Sequence, residues 1–317
     1  MKVSVCIIAR NAEKTIEHCL NAVFNQSLAP SEVIVVNDAS ADATKTIAES
    51  FDVQLIDLKK NLGTGKARSI AAIAAGNEII AFTDSDCIPD TDWLKQLVEP
   101  FKHEEVGVAH GYTFTDKDDS IFFHFNKAFS QGIVQTSNAA FRKKALHGIN
   151  FFDENFSLIR EDTDAVLRIN ALGYETIFAQ KAKVFHPSKP REFAHIVLGQ
   201  KRYENDALYY KKHPEHFKTH ELSQKFFPHS QIFRAWVVVF ALMASIILLA
   251  IKPVYAFIAL FSAYLLACLF GLMLAAKEKH NTSTKNILFL IFLNPMIFIS
   301  TSYYLFKGMI KHKKMIL

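Results

Sequence analysis

Cysteine is scarce in this chain, which contains four cysteines in 317 residues. They are Cys6, Cys19, Cys87 and Cys268, and no two of them show the paired spacing that a cysteine metal site requires. Cys268 also lies within a long apolar run. These features argue against a cysteine-bound metal, and we expect free thiols in a reducing compartment.

A cleavable signal peptide, an internal repeat and a low-complexity tract are also missing from the sequence. The N-terminal apolar stretch, Val3–Ala9, is only as long as a β-strand and leads straight into a helical pattern. We therefore expect no cleaved leader, and neither a repeat array nor a compositionally biased segment is indicated.

What the first part of the chain does contain is a regular alternation of strand and helix patterns. Apolar runs predict strands over residues 3–9, 32–37 and 53–57 and a fourth strand beginning at residue 79; amphipathic spacing predicts helices over 16–24, 41–50 and 67–75. Such alternation predicts an α/β fold, with a Rossmann-like, mostly parallel sheet covered by helices on both faces. Ligands of such folds bind beyond the carboxyl ends of the strands.

Two aspartates one residue apart, Asp84 and Asp86, close the fourth predicted strand. In an extended chain residues i and i+2 point to the same side, and carboxylate oxygens of this kind suit Mg²⁺ or Mn²⁺ shared with substrate phosphates. Asp38 and the Gly63 loop are predicted at the same edge of the sheet. The pattern favours a site for a metal-bound diphosphate, although an acidic turn after a strand is the alternative for an isolated Asp-x-Asp.

Several segments in the first 210 residues resemble the family 2 glycosyltransferases of the GT-A fold. The resemblance implies a domain over 1–210 that uses a nucleotide-sugar donor. The matching segments, in order, are Val5 to Asn11, Val33 to Ser40, Asn61-Leu62-Gly63 with Ala67-Arg68, Asp84-Ser85-Asp86, Ser137 to Arg142, Glu161-Asp162 and Val184 to Pro187.

The resemblance also assigns roles in donor binding. It implies that Asp38 contacts the nucleotide base, that Asp84 lies on the ribose side, and that Asp86 and His186 hold Mn²⁺ or Mg²⁺. The remaining expected donor-binding residues are Ala9, Asn11, Gly63, Lys66 and Arg68. Solvated helix charges are the alternative for Lys66 and Arg68, and a structural histidine is the alternative for His186.

Two departures from the commoner family pattern concern the base. Ala9-Arg10 stands where many relatives have a proline and an aromatic residue, and Asn37-Asp38 stands where two acids are frequent. A carboxylate at Asp38 suits the imide N–H of uracil, so a UDP-sugar is favoured. The departures make nucleotide binding a firmer expectation than the identity of the base.

Three carboxylates, Glu161, Asp162 and Asp164, stand at the start of a helix predicted to run to about Leu172. By resemblance, Asp162 is the general base of an inverting displacement and Glu161 orients it or the acceptor. Asp164 is expected to cap the helix or face solvent. Ordinary N-terminal capping by acids is the alternative for the whole group.

A basic and aromatic stretch follows the catalytic segment. Arg202, within Gln200-Lys201-Arg202-Tyr203, is expected to supply a cation to the donor diphosphate. Processive polysaccharide synthases of this superfamily carry a Gln-x-x-Arg-Trp run, whereas this stretch is one residue short and lacks tryptophan. The sequence therefore argues against a processive synthase.

The last third of the chain contains three long apolar runs, which follow a basic linker at 211–231. Runs at 232–251, 254–276 and 287–306 each match the length of a transmembrane helix, and a large soluble core is the alternative. Only Lys252-Pro253 separates the first two, which predicts a membrane hairpin. Asn294-Pro295 interrupts the third, so a kinked or re-entrant segment stays open there.

Basic residues suggest the orientation. Lys218, Lys225 and Arg234 precede the first run and Lys277, Lys279 and Lys285 follow the second, which places both flanks in the cytoplasm. Four further lysines after the third run conflict with a full third crossing. The net charge of +5 and the sequence pI of 8.8 suit an anionic inner leaflet.

Together these features predict a multi-pass protein of the cell (inner) membrane with a cytoplasmic catalytic domain. The leading hypothesis is an inverting glycosyltransferase acting on a lipid-linked or cell-envelope glycan acceptor, with membrane lipids but no nucleic acid among its partners. The alternative is a catalytically inactive membrane-tethered scaffold with the same fold.

Overall fold

The computed structural model describes residues 1–116, 123–124, 134–156, 159–190, 198–222 and 284–315, with isolated positions between 240 and 269. The chain divides into two compact units. The first comprises Met1–Asp119 and Phe123–Lys189, and the second contains the described residues from Pro190 onward. The predicted functional residues before residue 190 all fall in the first unit.

An eight-stranded sheet in the order β3-β2-β1-β4-β8-β6-β9-β5 organises the first unit. β1 to β4 are mutually parallel, β8 is antiparallel to β4 and β6, β9 is parallel to β6, and β5 is antiparallel to β9. The strands are β1 Val3–Ala9, β2 Glu32–Asn37, β3 Gln54–Asp57, β4 Ile79–Asp84, β5 Ile88–Pro89, β6 Val106–Phe114, β7 Phe123–His124, β8 Asn138–Arg142, β9 Glu175–Phe185 and β10 Lys189–Pro190.

Helices pack on both faces of this sheet, as the alternating pattern predicts. Successive residues of β1 point to opposite faces, so Val5 and Ile7 join the core under α1 and α4, whereas Cys6 joins the core under α3, α5 and α6. The helices are α1 Ile16–Phe24, α2 Thr44–Glu49, α3 Thr64–Ala74, α4 Trp93–Val98, α5 Lys143–Gly148 and α6 Glu161–Ala171. The predicted α/β, Rossmann-like sheet is therefore confirmed, with antiparallel strands added on one side.

The predicted starts of two helices were wrong by three residues: α2 begins at Thr44 and not at residue 41, and α3 begins before its predicted start. The sequence pattern places Gly65 in a loop and begins the helix at Ala67, whereas the helix begins at Thr64. A Cβ at position 65 would lie 3.3 Å from the backbone oxygens of both Asp153 and Phe156. Gly65 is thus a packing glycine inside the helix, and Lys66 lies in the helix rather than before it.

Asn138 has a structural role. It lies in the Ser137 to Arg142 segment, which is one of the segments that carry the family resemblance. Its Oδ1 accepts a hydrogen bond from Trp93 Nε1 at 2.8 Å, and its Nδ2 donates to the Ala182 carbonyl at 3.1 Å. Asn138 also donates to the Tyr112 carbonyl. This buried amide joins β8 to α4, β6 and β9.

Gly111 in β6 allows this junction to close, and we predict that Gly111→Ala destabilises the first unit. A Cβ there would overlap the Ala182 carbonyl and the Asn138 amide. Overpacking of this kind costs about 1–3 kcal/mol. Urea unfolding should show the loss, while Gly76→Ala, whose Cβ would meet only the Glu32 side chain at ordinary distance, should not. Equal stability of the two variants would contradict the prediction.

The second unit contains the 3₁₀ helix Gly199–Asn205, the helix Asp206–Lys212 and the long helix Thr284–His312. Glu204 accepts hydrogen bonds from Lys307 at 2.9 Å and from Lys311 at 3.2 Å. Thr301 donates to Gln200 at 3.0 Å. These contacts pack the long helix against the 3₁₀ helix.

Part of the predicted membrane region lies within the described residues. The third apolar run, 287–306, lies within the long helix. The runs at 232–251 and 254–276 and the intervening Lys252-Pro253 turn lie outside the described residues, apart from isolated positions. Among the residues that are described, no helix has both the length and the sustained hydropathy of a membrane crossing.

Candidate active site

The carboxyl ends of β1, β2 and β4 bring the predicted donor-binding residues to one edge of the sheet. The parallel register pairs Ala9 with Asn37 and Ile8 with Asp84. Beyond β2, the Asp38 N–H donates to the Ala9 carbonyl at 2.9 Å. The three strand ends therefore converge, as expected for a parallel sheet.

Asp38 is buried and holds the Gly63 loop. Its two carboxylate oxygens accept hydrogen bonds from the N–H groups of Leu62, at 2.7 Å, and Gly63, at 3.1 Å. Gly63 has a φ of 83°, which an L-residue rarely adopts, so a glycine suits this turn before α3. The proposed base contact of Asp38 stays a prediction, and the structure adds a role in fixing the loop.

Asn11 and Asn37 shape the neighbouring turn. Asn11 accepts a hydrogen bond from the Ala41 N–H on its side-chain oxygen at 2.9 Å, and its own N–H donates to Ser40 Oγ at 3.0 Å. The Asn37 amide donates to Asp57 at 2.8 Å. A carboxylate at position 37 could not donate this bond, so the departure from two acids is compatible with the local packing.

Arg68, in α3, connects two elements of the site. Its Nη1 pairs with Glu161 Oε1 at the start of α6, and its Nη2 lies 3.2 Å from Asp84 Oδ1 at the end of β4. Thr64 also donates to Glu161 Oε1, at 3.0 Å. The Arg68 and Glu161 side chains are only 7% and 6% exposed, so the pair is buried rather than a solvated helix charge.

Lys66 lies on the exposed side of the same helix. Its Nζ is 2.7 Å from Glu154 Oε2, and both side chains are well exposed. Such a pair is worth about 0–1 kcal/mol, because water screens it. A contact of Lys66 with the donor stays a prediction.

Asp84, Asp86, Cys87 and His186 form a cluster in which one potential ligand atom from each residue lies within 4.8 Å of the others. His186 Nε2 is 3.5 Å from Asp86 Oδ1, and its Nδ1 is 3.2 Å from the Pro187 carbonyl. A proton on Nδ1 donated to that carbonyl leaves the Nε2 lone pair toward Asp86. Two acceptors that face each other in this way suit a cation between them.

The donor set of this cluster fits Mn²⁺ or Mg²⁺. Two carboxylates are hard oxygen ligands, and a neutral imidazole suits Mn²⁺. Burial raises the pKa of the Cys87 thiol well above its usual value, and the charges of Asp84 and Asp86 raise it further, so the thiol stays protonated. Burial likewise raises the pKa of Asp84, which Arg68 opposes.

Asp162, at the start of α6, has an unusual carboxyl group. Burial, and then the neighbouring charge of Glu161, raise its pKa to about 6, although Arg68 and Arg160 act in the opposite direction. Its Oδ1 accepts a hydrogen bond from the Thr163 N–H at 2.7 Å. A carboxylate with this pKa is a stronger proton acceptor than an ordinary aspartate and is still ionised at neutral pH.

Asp164 does not face solvent, contrary to one of its two expected roles. Its side chain is fully buried and pairs with Arg168 one helical turn later, at 2.7 Å. Arg168 in turn donates to the Phe151 carbonyl at 3.0 Å. The i, i+4 spacing brings the two residues together, and burial makes the pair part of the core around α6.

Two residues of the site, Thr64 and Cys87, were not predicted from the sequence. Thr64 adjoins Glu161, and Cys87 adjoins the aspartate cluster. The only signal for either residue in the sequence was the position of Cys87 directly after Asp86. Arg202 lies in the 3₁₀ helix of the second unit.

Cys6, Cys19 and Cys87 are free and buried, as expected for free thiols, and Cys268 lies outside the described residues.

Comparisons with known proteins agree with this geometry. The family model described as "Glycosyl transferase family 2" matches residues 4–166. Glycosyltransferase AglE of Haloferax volcanii is 28% identical over 206 residues, which cover 59% of this chain and 67% of that protein. The chain spans less than half the length of two further curated glycosyltransferases that it matches.

Solved structures match nearly the whole chain. Mannosyltransferase PcManGT from Pyrobaculum calidifontis, in complex with GDP-Man and Mn²⁺, has a TM-score of 0.53 at 17% identity over 98% of this chain and 87% of that chain. S. aureus TarS 1-349, in complex with UDP-GlcNAc, has a TM-score of 0.51 at 18% identity over 99% and 93% of the two chains. At these identities the likeness shows the fold alone.

Proposed function

The chain belongs to glycosyl transferase family 2, and we propose that it is an inverting enzyme that moves a sugar from a nucleotide-sugar donor, preferably a UDP-sugar, to a lipid-linked or cell-envelope glycan acceptor. The observation that carries this proposal is that Arg68 bonds both to Asp84, in the cluster with Asp86 and His186, and to Glu161, the neighbour of Asp162 at the start of α6. The cluster suits a metal-bound diphosphate, and Asp162 suits a proton transfer.

The proposed reaction uses Asp162 as its base. The acceptor hydroxyl gives its proton to the Asp162 carboxylate, its oxygen bonds to the anomeric carbon, and the bond from that carbon to the nucleoside diphosphate breaks with inversion. Glu161 has its Oε1 occupied by Arg68 and Thr64, whereas its buried Oε2 has no hydrogen-bond partner among the described residues. Because that oxygen is buried, Glu161 is better placed to orient Asp162 than to contact the acceptor.

Asp84, Asp86 and His186 would hold a divalent cation, which supplies positive charge to the diphosphate when bound. Asp84 ends the central strand β4 and Asp86 lies two residues later, and the Nδ1 contact to Pro187 orients the His186 ring. One structural neighbour is a complex with GDP-Man and Mn²⁺ and another is a complex with UDP-GlcNAc, which supports a sugar nucleotide as donor and leaves its base open.

Thermal stabilisation of the purified full chain by nucleotide sugars tests the function. We expect a UDP-sugar or a GDP-sugar to raise the melting temperature only when Mn²⁺ or Mg²⁺ is present, and the same compound to be hydrolysed slowly without acceptor. If no sugar nucleotide binds with either metal, the alternative of an inactive scaffold is favoured.

Membrane anchoring is the second part of the proposal, and the three apolar runs of 20, 23 and 20 residues support it. A site held close to the bilayer favours a lipid-linked acceptor over a soluble one. The two short basic flanks favour a cytoplasmic position for the catalytic domain.

Topology reporters give a prediction for this anchoring. Reporters fused at Met1 and after Lys279 should both behave as cytoplasmic, because basic residues flank the predicted hairpin on both sides. An external signal at Lys279 would contradict the hairpin. A third reporter at Leu317 determines whether the third apolar run crosses the membrane.

A further inference from the structure

Arg68 bonds both to the carboxylate cluster at the end of β4 and to the start of α6. It lies on α3, and its two terminal nitrogens separate toward Asp84 and Glu161. The guanidinium is almost completely buried. Arg68 lies between two carboxylates from distant parts of the sequence. It therefore has a candidate role in positioning these carboxylates, besides a direct contact with the donor.

We propose that Arg68 is a positioning residue that couples the donor side of the site to the proton-accepting side, by holding Asp84 and Glu161 in one bridge. This inference rests on the proposed function of the same site. It differs from the expected role of Arg68, which is to contact the base or diphosphate directly.

The shape of the guanidinium explains why arginine occupies this position. Its planar fork presents several N–H donors in fixed directions, so one side chain can bond two carboxylates at once. Lysine carries the same charge on a single ammonium, which cannot reproduce that fork. Thr64, one turn before Arg68, adds a second bond to Glu161 and fixes the same side of the carboxylate.

The charge of the bridge also acts on the proposed base. The charged groups that act on Asp162 are Glu161 and Arg160 on its own segment and Arg68 from α3. Arg68 lowers the pKa of Asp162, whereas burial and Glu161 raise it. Removal of the Arg68 charge should therefore raise this pKa further and leave a larger fraction of the base protonated at neutral pH.

Arg68→Gln and Arg68→Lys test the bridge in the full-length protein. For Arg68→Gln we expect the acid limb of the kcat profile to move upward by about one pH unit. Turnover at saturating donor should fall by about 10²-fold, because the base is misplaced. Arg68→Lys should leave the acid limb nearly in place and still lose turnover, since it keeps the charge but loses the fork.

A matched control is Arg168→Lys, an arginine on α6 whose bonds to the described residues go to Asp164 and to the Ile149 and Phe151 carbonyls. It should lose stability while turnover per folded molecule and the acid limb stay unchanged. If Arg68→Gln does not fold, Arg68→Lys carries the comparison through its loss of turnover at saturating donor.

Two outcomes overturn the proposal. If Arg68→Lys or Arg68→Gln raises only the donor KM and keeps kcat and the acid limb, Arg68 contacts the donor directly and is not a bridge. The second readout is the ¹³C carboxyl titration of Asp162, which needs no substrate. An unchanged titration in Arg68→Gln also refutes the coupling, so failure of the proposed function in the wild type can be distinguished from failure of this inference.

Discussion

Asp162→Asn should lower turnover by about 10²–10⁴-fold, which is the usual contribution of a general base. The substitution keeps the size of the side chain and its bond from the Thr163 N–H, and it removes the capacity to accept a proton. Donor affinity should survive, because Asp38, the Gly63 loop and the Asp86 cluster are unchanged. Initial rates at saturating donor, together with donor titration, measure the two effects separately.

Asp164→Asn is the control for this experiment. It changes the buried carboxylate of Asp164, which lies two residues after Asp162 on the same helix and pairs with Arg168. We expect Asp164→Asn to reduce stability but to keep turnover per folded molecule. Near-normal transfer by Asp162→Asn would exclude Asp162 as the base and make Glu161 the next candidate, and a defect confined to donor binding would have the same consequence.

Asp86→Ala should abolish metal-dependent donor binding. The cluster offers two carboxylates and an imidazole, and the loss of one charged ligand leaves the donor diphosphate poorly neutralised. Isothermal titration with UDP in the presence and absence of Mn²⁺ measures the effect. The wild type should bind with Mn²⁺ much more tightly than without it, and the variant should show no such difference.

Asp90→Asn provides the matched control, because this carboxylate is exposed and lies four residues beyond Asp86. It should bind UDP with the same dependence on Mn²⁺ as the wild type. Asp86→Ala should also leave the fold intact, since its side chain is not part of either hydrophobic core. If Asp86→Ala still binds UDP much more tightly with Mn²⁺ than without it, as the wild type should, the metal assignment is refuted.

Local patterns in the sequence were sufficient to place most elements of the catalytic domain. β1 and β2 have the predicted bounds, because each consists of a mostly apolar run followed directly by polar turn residues, Arg10-Asn11 after β1 and Asp38 after β2. The predicted start of α3 was wrong by three residues. Glycine has a low helix propensity, so Gly65 was placed in a loop, whereas in the structure it lies inside the helix because the neighbouring backbone packs closely against it. The position of Asp38 and Asp84 at one edge of the sheet was predicted from the parallel order of the strands alone.

The α/β fold class, the edge at which the site lies and the residue types that supply its carboxylates can be predicted from the amino-acid sequence, because they depend on periodicity and on the ends of strands. The bridge from Arg68 to Asp84 and Glu161, the burial of Asp164 against Arg168 and the pKa of about 6 for Asp162 depend on the packing of distant elements. These properties arise between residues up to 93 positions apart, such as Arg68 and Glu161. Burial and the charges of neighbours from other elements set them, and no local pattern contains that information.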